Sequence, residues 1–104
     1  MHRFRDRQGR SVRLTDERLA HLEADHPEMT GQVSRIAEAV AAPDRVVRSQ
    51  TDASVELVYK EYASTPVTRK FLCVVVKVGV DDAFVITAYY TDTVKRGDVL
   101  WETR

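Results

Sequence analysis

The sequence predicts an α+β domain: an N-terminal hairpin and two helices packed on a curved antiparallel sheet of four to five strands. Three observations predict it. Between residues 15 and 42 apolar residues recur at helical spacing; from Arg45 onward the apolar period changes to two; and the segments "QTDA", "ASTPVT" and "GVDD" divide that second half into short β-rich runs. At 104 residues the chain is long enough for one core and too short for two, so residues 1–104 are expected to form a single domain.

The elements follow in order. In "RFRDRQGRSVRL", residues 3–14, Gly9 separates two short segments whose apolar members are Phe4, Val12 and Leu14, which suits a small hairpin. Five arginines against one aspartate make this the only strongly basic segment. Thr15 is the expected N-cap of the first helix, with Asp16 and Glu17 in its first turn, although the residue three positions on is not Glu or Gln and the capping box is incomplete. Leu19, Leu22 and His26 share a face, and Pro27 restricts the residue before it, so the helix is expected to end near Asp25. A second helix is expected from about Met29, with the stripe Val33, Ile36, Ala37 and Val40, stopped by "AAPD" at 41–44.

"RVVRS", "SVELVYKEY", "RKFLCVVVKV" and "AFVITAYYT" then read as four sequential strands of an antiparallel meander, the third and most apolar being central. "DVLWE" is a candidate edge strand after a hairpin turn at "VKRGD", with Trp101 as a packing anchor. Strict alternation places Val85, Thr87, Tyr89 and Thr91 on one face of the fourth strand, and Phe84, Ile86, Ala88 and Tyr90 on the other, where Tyr90 is expected in the core.

Composition excludes several classes. Sixteen basic and sixteen acidic residues cancel, so binding to nucleic acid or anionic lipid requires a local patch. Cys73 is the only cysteine and lies in an apolar run, which leaves no disulfide framework or cysteine metal site and suits a reducing cytoplasm. The longest apolar run, Phe71 to Val76, is far short of the roughly 20 residues of a membrane span, and no signal-peptide pattern is present. His21 and His26 are five apart rather than four, and the glycines are scattered singly, so neither a metal site, a phosphate loop nor any cofactor is expected.

Among residue types suited to chemistry, His21 falls on a different stripe from Leu19 and Leu22 and is the candidate general acid or base; the plainer reading is a surface histidine. His26, before Pro27, is read as the helix C-terminal cap. Neighbouring strands can bring a threonine, a tyrosine and a lysine together near one end of the sheet: Thr87 and Tyr89 on the fourth, Tyr59 on the second with Lys60 facing oppositely, and Lys77 on the third. Threonine and tyrosine also favour strands without any function, and lysines protect sheet edges.

The runs "GRSVRLTDERLAHLEADHPEM", "AVAAPDRVVRS", "LVYKEY", "KFLCVVVKV", "FVITAYYTD" and "KRGDVLW", over roughly residues 8–101, resemble the phage-associated branch of the barnase–EndoU–colicin E5/D–RelE nuclease families. That resemblance implies a RelE/barnase-like fold and a metal-independent endoribonuclease related to toxin and phage proteins. Such cleavage uses the 2′-hydroxyl of the RNA as nucleophile and needs a proton acceptor, a proton donor and cations for the phosphorane. The implied catalytic set is His21, Lys60, Lys77, Thr87 and Tyr89, with Arg48, Tyr59 and Lys95 contacting substrate. The implied partners are RNA, free or on the ribosome, and a cognate inhibitor or antitoxin protein. RelE-like toxins are strongly basic and this chain is neutral, which keeps open the alternative of a catalytically silent protein-interaction module of the same fold.

Overall fold

A computed structural model describes residues 1–103. Strands β1 (His2–Arg5) and β2 (Ser11–Leu14) form the expected hairpin. Its turn is held by Asp6, whose carboxylate accepts the backbone N–H groups of Gln8 and Arg10, and by Gly9 at a positive φ of 83°. Helix α1 (Asp16–Asp25) starts where Thr15 Oγ1 accepts the Arg18 N–H at 3.1 Å. The second helix carries the expected stripe but begins later than the expected Met29: Pro27–Met29 is a single 3₁₀ turn, Gly31 takes a left-handed conformation (φ 75°), and α2 runs Val33–Ala41. The 3₁₀ turn still buries Met29 completely, so the apolar signal there is real and only its local geometry differs.

The remaining strands are β3 (Arg45–Arg48), β4 (Val55–Glu61), β5 (Phe71–Val78), β6 (Ala83–Thr91) and β7 (Asp98–Glu102). They join the hairpin in one seven-stranded sheet of order β1-β2-β6-β5-β4-β3-β7, so the sheet has more strands than the sequence suggests. β3 to β6 form the expected antiparallel meander with β5 inside it. Two connections differ from the expectation. β2 pairs with β6 in parallel, through Val12↔Ala83 and Arg13↔Phe84, and two parallel hydrogen bonds donated by the Arg13 guanidinium to the Asp82 carboxylate fix that seam. β7 forms no hairpin with β6; the chain crosses the sheet from 92 to 97 and β7 pairs with β3. The two edge regions nevertheless meet, since the Arg7 guanidinium lies 4.7 Å over the Trp101 ring, whose Nε1–H points at Pro43 O.

The core has two parts. One lies between sheet and helices, with Leu22, Met29, Ile36, Ala39 and Val40 packed on Val58, Leu72, Val74, Val85, Ala88 and Tyr90. Tyr90 is fully buried there, its hydroxyl donating to Gln32 Oε1 at 2.7 Å and accepting from Arg35 at 3.3 Å. The second comprises Val47, Val55, Leu57, Tyr59 and Cys73, with Phe71, Val75, Ile86, Tyr89 and Val94 against them, and contains no helix residue.

The fourth meander strand corrects strict alternation. Val75 pairs with Thr87 and Val76 with Val85, which leaves Ile86 as an extra residue in β6. This bulge flips the pattern: Val85 joins Ala88 and Tyr90 on the helix side, while Ile86 and Tyr89 face the second cluster. Val85 therefore does not share a face with Tyr89, nor Tyr90 with Ile86.

Candidate active site

The second face acquires its polar groups from three directions. The first is the end of α1. Pro27 keeps His26 out of helical conformation (φ −133°, ψ 80°), while the His26 N–H still closes the helix on Leu22 O at 2.8 Å. The main chain thus caps, as the sequence suggests, and the ring is left to leave the helix end. It packs against Tyr89, with ring centroids 5.5 Å apart and planes tilted by 33°.

The second is a cross-strand row. Register places Tyr59 on β4 opposite Cys73 on β5, and Cys73 opposite Tyr89 on β6. The two outer residues are about two strand spacings apart, roughly 10 Å. Burial pushes the Cys73 thiol up to about 11, a rise that the flanking Tyr89 and Tyr59 hydroxyls and the Lys95 charge each reduce. Burial likewise raises Tyr59 to about 12, opposed by the Lys95 N–H that it accepts, and holds Tyr89 well above the ordinary phenol range. Near neutral pH all three keep their protons and act as donors or neutral surface, not as bases.

The third is the crossover of residues 92–97. Val94 packs into the second cluster, the Lys95 N–H donates to Tyr59 Oη at 3.0 Å, and Gly97 passes so close to β3 that a Cβ there would overlap Arg48 O and Val47 Cγ1. The crossover divides the face into two open grooves. On one side, a groove of about 300 Å³ is walled by Tyr59 and Phe71 and carries Asp44, Glu61 and Glu102 against Arg45, with Arg45 and Glu102 paired at 2.8 Å. On the other, a groove of about 290 Å³ is floored by Leu57 and bordered by Ser49, Gln50, Thr51, Lys95 and Arg96.

The structure gathers some of the sequence-derived residues and separates others. Tyr59, Tyr89 and Lys95 belong to this face, whereas exposed Arg48 alternates with Val47 and stands on the other side of the sheet, opposite Glu56. Thr87 stands opposite Val75, two pairs along the β5–β6 ladder from Cys73 and Tyr89. Lys77 is four residues from Cys73 along β5, about 13 Å, and its Nζ is held by Asp52 Oδ2 at 2.8 Å. Lys60 projects from β4 on the opposite side to Tyr59, where its Nζ donates to Ala42 O at 2.8 Å and neutralises the C-terminal end of α2. His21 is exposed on α1 with Glu17 at 3.7 Å, and no hydrogen bond or ion pair among the described residues joins it to Lys60, Lys77, Thr87 or Tyr89. His26, read from the sequence only as a helix cap, is the candidate for chemistry that the sequence did not single out. Its signal was the proline after it, which ends the helix and sends the side chain elsewhere.

Among the described residues no group of three His, Cys, Asp or Glu side chains is placed to hold a metal ion, and no helix is long and apolar enough to cross a membrane. Comparison of the chain with family models, with curated proteins and with solved structures found no match.

Proposed function

We propose that the chain is a metal-independent endoribonuclease with a RelE/barnase-like fold that cleaves RNA by attack of the substrate's own 2′-hydroxyl. The observation that carries this reading is the meeting of His26 with Tyr89 on the sheet face that also receives Lys95. Imidazole is the side chain suited to moving a proton at neutral pH, and His26, whose ring meets Tyr89, takes that role in this reading in place of the exposed His21. His26 accepts the 2′-hydroxyl proton as the 2′-oxygen bonds to phosphorus; the bond from phosphorus to the 5′-oxygen breaks, and solvent on the open side protonates the leaving oxygen. The product carries a 2′,3′-cyclic phosphate, and His26 returns its proton to solvent. The positive charge of Lys95, felt at Cys73 in the middle of the row, favours an anionic substrate over this face, and the protonated Tyr89 phenol positions the imidazole by ring contact.

A labelled RNA incubated in EDTA, with and without ribosomes, tests the proposal. Wild type is expected to leave cyclic-phosphate ends, His26→Ala to lose at least about 100-fold in rate, and His21→Ala to cleave like wild type. Unchanged cleavage by His26→Ala removes the histidine from the mechanism. One observation favours a second reading, a catalytically silent interaction module: both candidate lysines spend their ammonium groups on structure, Lys60 at the end of α2 and Lys77 on Asp52. A folded protein that cleaves no RNA under either condition supports that reading, and a pull-down for an inhibitor-like partner follows from it.

A further inference from the structure

We propose that the groove bordered by Ser49, Thr51, Lys95 and Arg96 is a separate phosphate subsite, which holds a backbone phosphodiester away from the bond being cleaved. The inference rests on the endoribonuclease reading for the identity of its ligand. Its physical basis is independent of the chemistry at His26.

The groove concentrates unneutralised positive charge in a chain whose formal charge is zero. Lys95 and Arg96 are exposed, and none of the ion pairs among the described residues involves either of them. Acids are present nearby, but they are placed otherwise. Asp52 is occupied by Lys77 and by both the hydroxyl and the N–H of Ser54, and Asp98 lies opposite Arg48 in the β3–β7 register. The three carboxylates of the other groove stand across Val94, on the far side of the crossover. One loop therefore separates an acidic groove from a basic one.

The donors also suit a phosphate in kind. The Ser49 and Thr51 hydroxyls are 3.1 Å apart, so one donates to the other and the second keeps a proton free for a ligand. Thr51 N–H bonds Ser49 Oγ at 3.3 Å, which fixes the pair in one turn. Hydroxyl, ammonium and guanidinium groups approach the groove from two chain segments, β3's end and the crossover. A tetrahedral phosphodiester accepts from several directions at once, whereas a carboxylate is satisfied by one planar fork. The groove's size, about 290 Å³, admits a phosphate with part of its sugar.

The crossover links this subsite to the reaction centre. Lys95 sits in both: its main chain is bonded to Tyr59 and its side chain borders the groove. A strand whose phosphate occupies the groove is steered from Leu57 on β4 across β5 toward Tyr89 on β6 and His26.

The test is titration of the ¹⁵N-labelled full chain with inorganic phosphate and with a DNA oligonucleotide, which lacks the 2′-hydroxyl and is not cleaved. Shifts of the Ser49, Thr51, Lys95 and Arg96 amides are expected with both. Arg96→Glu should weaken oligonucleotide binding about tenfold and lower the slope of log affinity against log salt by about one, and Ser49→Ala should weaken phosphate binding while leaving the fold intact. In RNA cleavage, Arg96→Glu should raise KM with kcat little changed. If both ligands shift these amides and no RNA is cleaved, the subsite stands and the nuclease reading falls. Titration that leaves the four amides in place, or a glutamate-rich peptide that moves them when phosphate and DNA do not, overturns the subsite.

Discussion

Tyr59 is almost completely buried, and its hydroxyl is the acceptor that anchors the crossover through the Lys95 N–H. Removing that oxygen in Tyr59→Phe leaves the ring packed edge-on against Phe71 and withdraws only the hydrogen bond. The expected loss is about 1 kcal/mol in chemical denaturation, with faster hydrogen exchange at Lys95 and a modest fall in cleavage, since the side chain acts by positioning. Wild-type exchange at Lys95 would show that Val94 alone holds the segment. The same scale explains the lysines. Alternation puts Lys60 and Lys77 on different sides of the sheet, and each finds a local acceptor, Ala42 O and Asp52, that no strand pattern reveals. Histidines carry a similar lesson: the two are five residues apart, yet a helix terminus between them leaves one in solvent beside Glu17 and the other against Tyr89.

At the scale of elements, the bulge at Ile86 and the crossover of residues 92–97 shape the candidate site. The bulge lets one strand bury Ala83 and Val85 at one end and Ala88 and Tyr90 at the other against the same helices, while presenting Ile86 and Tyr89 to the second cluster. The crossover depends on Gly97, where the chain touches β3 with no room for a side chain. Gly97→Ala is expected to destabilise the fold by about 1–3 kcal/mol through overpacking and to displace Lys95 from Tyr59. Phosphate binding in the basic groove should weaken with it. A variant of unchanged melting temperature and unchanged phosphate affinity would mean that β3 yields to the methyl group without moving the crossover.

For the whole molecule, pH dependence follows from groups buried on the second face. Cys73 and Tyr59 bind their protons more tightly folded than unfolded, at about 11 against 9.0 and about 12 against 10.0. Their contribution is therefore complete below the unfolded values and is lost as pH rises through the folded ones. Denaturation midpoints should fall steadily from pH 9 to pH 12, and Cys73→Ala should flatten the first part of that decline. A flat profile across that range would show that these groups are already open to solvent. In acid the sign reverses. Asp16, Asp52 and Asp82 have lowered values through the N-terminal ammonium, Lys77 and Arg13, so their small contribution is present above the ordinary carboxylate range and disappears below it. Asp16 and Asp82 are exposed and Asp52 is only partly covered, so acid is expected to act more weakly than alkali.

The sequence by itself determined the α+β class, the hairpin, the first helix between Thr15 and Asp25, the meander from β3 to β6 and the burial of Tyr90. Each of these is written in local terms, as a cap, a proline, a turn or an apolar period. It also determined that binding to a phosphate chain has to be local, because the formal charges cancel. Only the tertiary structure decided that β2 lies parallel to β6, that β7 crosses to β3, that Ile86 is an extra residue, and that His26 rather than His21 reaches the sheet. The physical reason is that side-chain alternation fixes faces only within an uninterrupted strand. A single inserted residue reverses every face beyond it, and the choice of neighbouring strand is made by contacts between residues far apart in the chain.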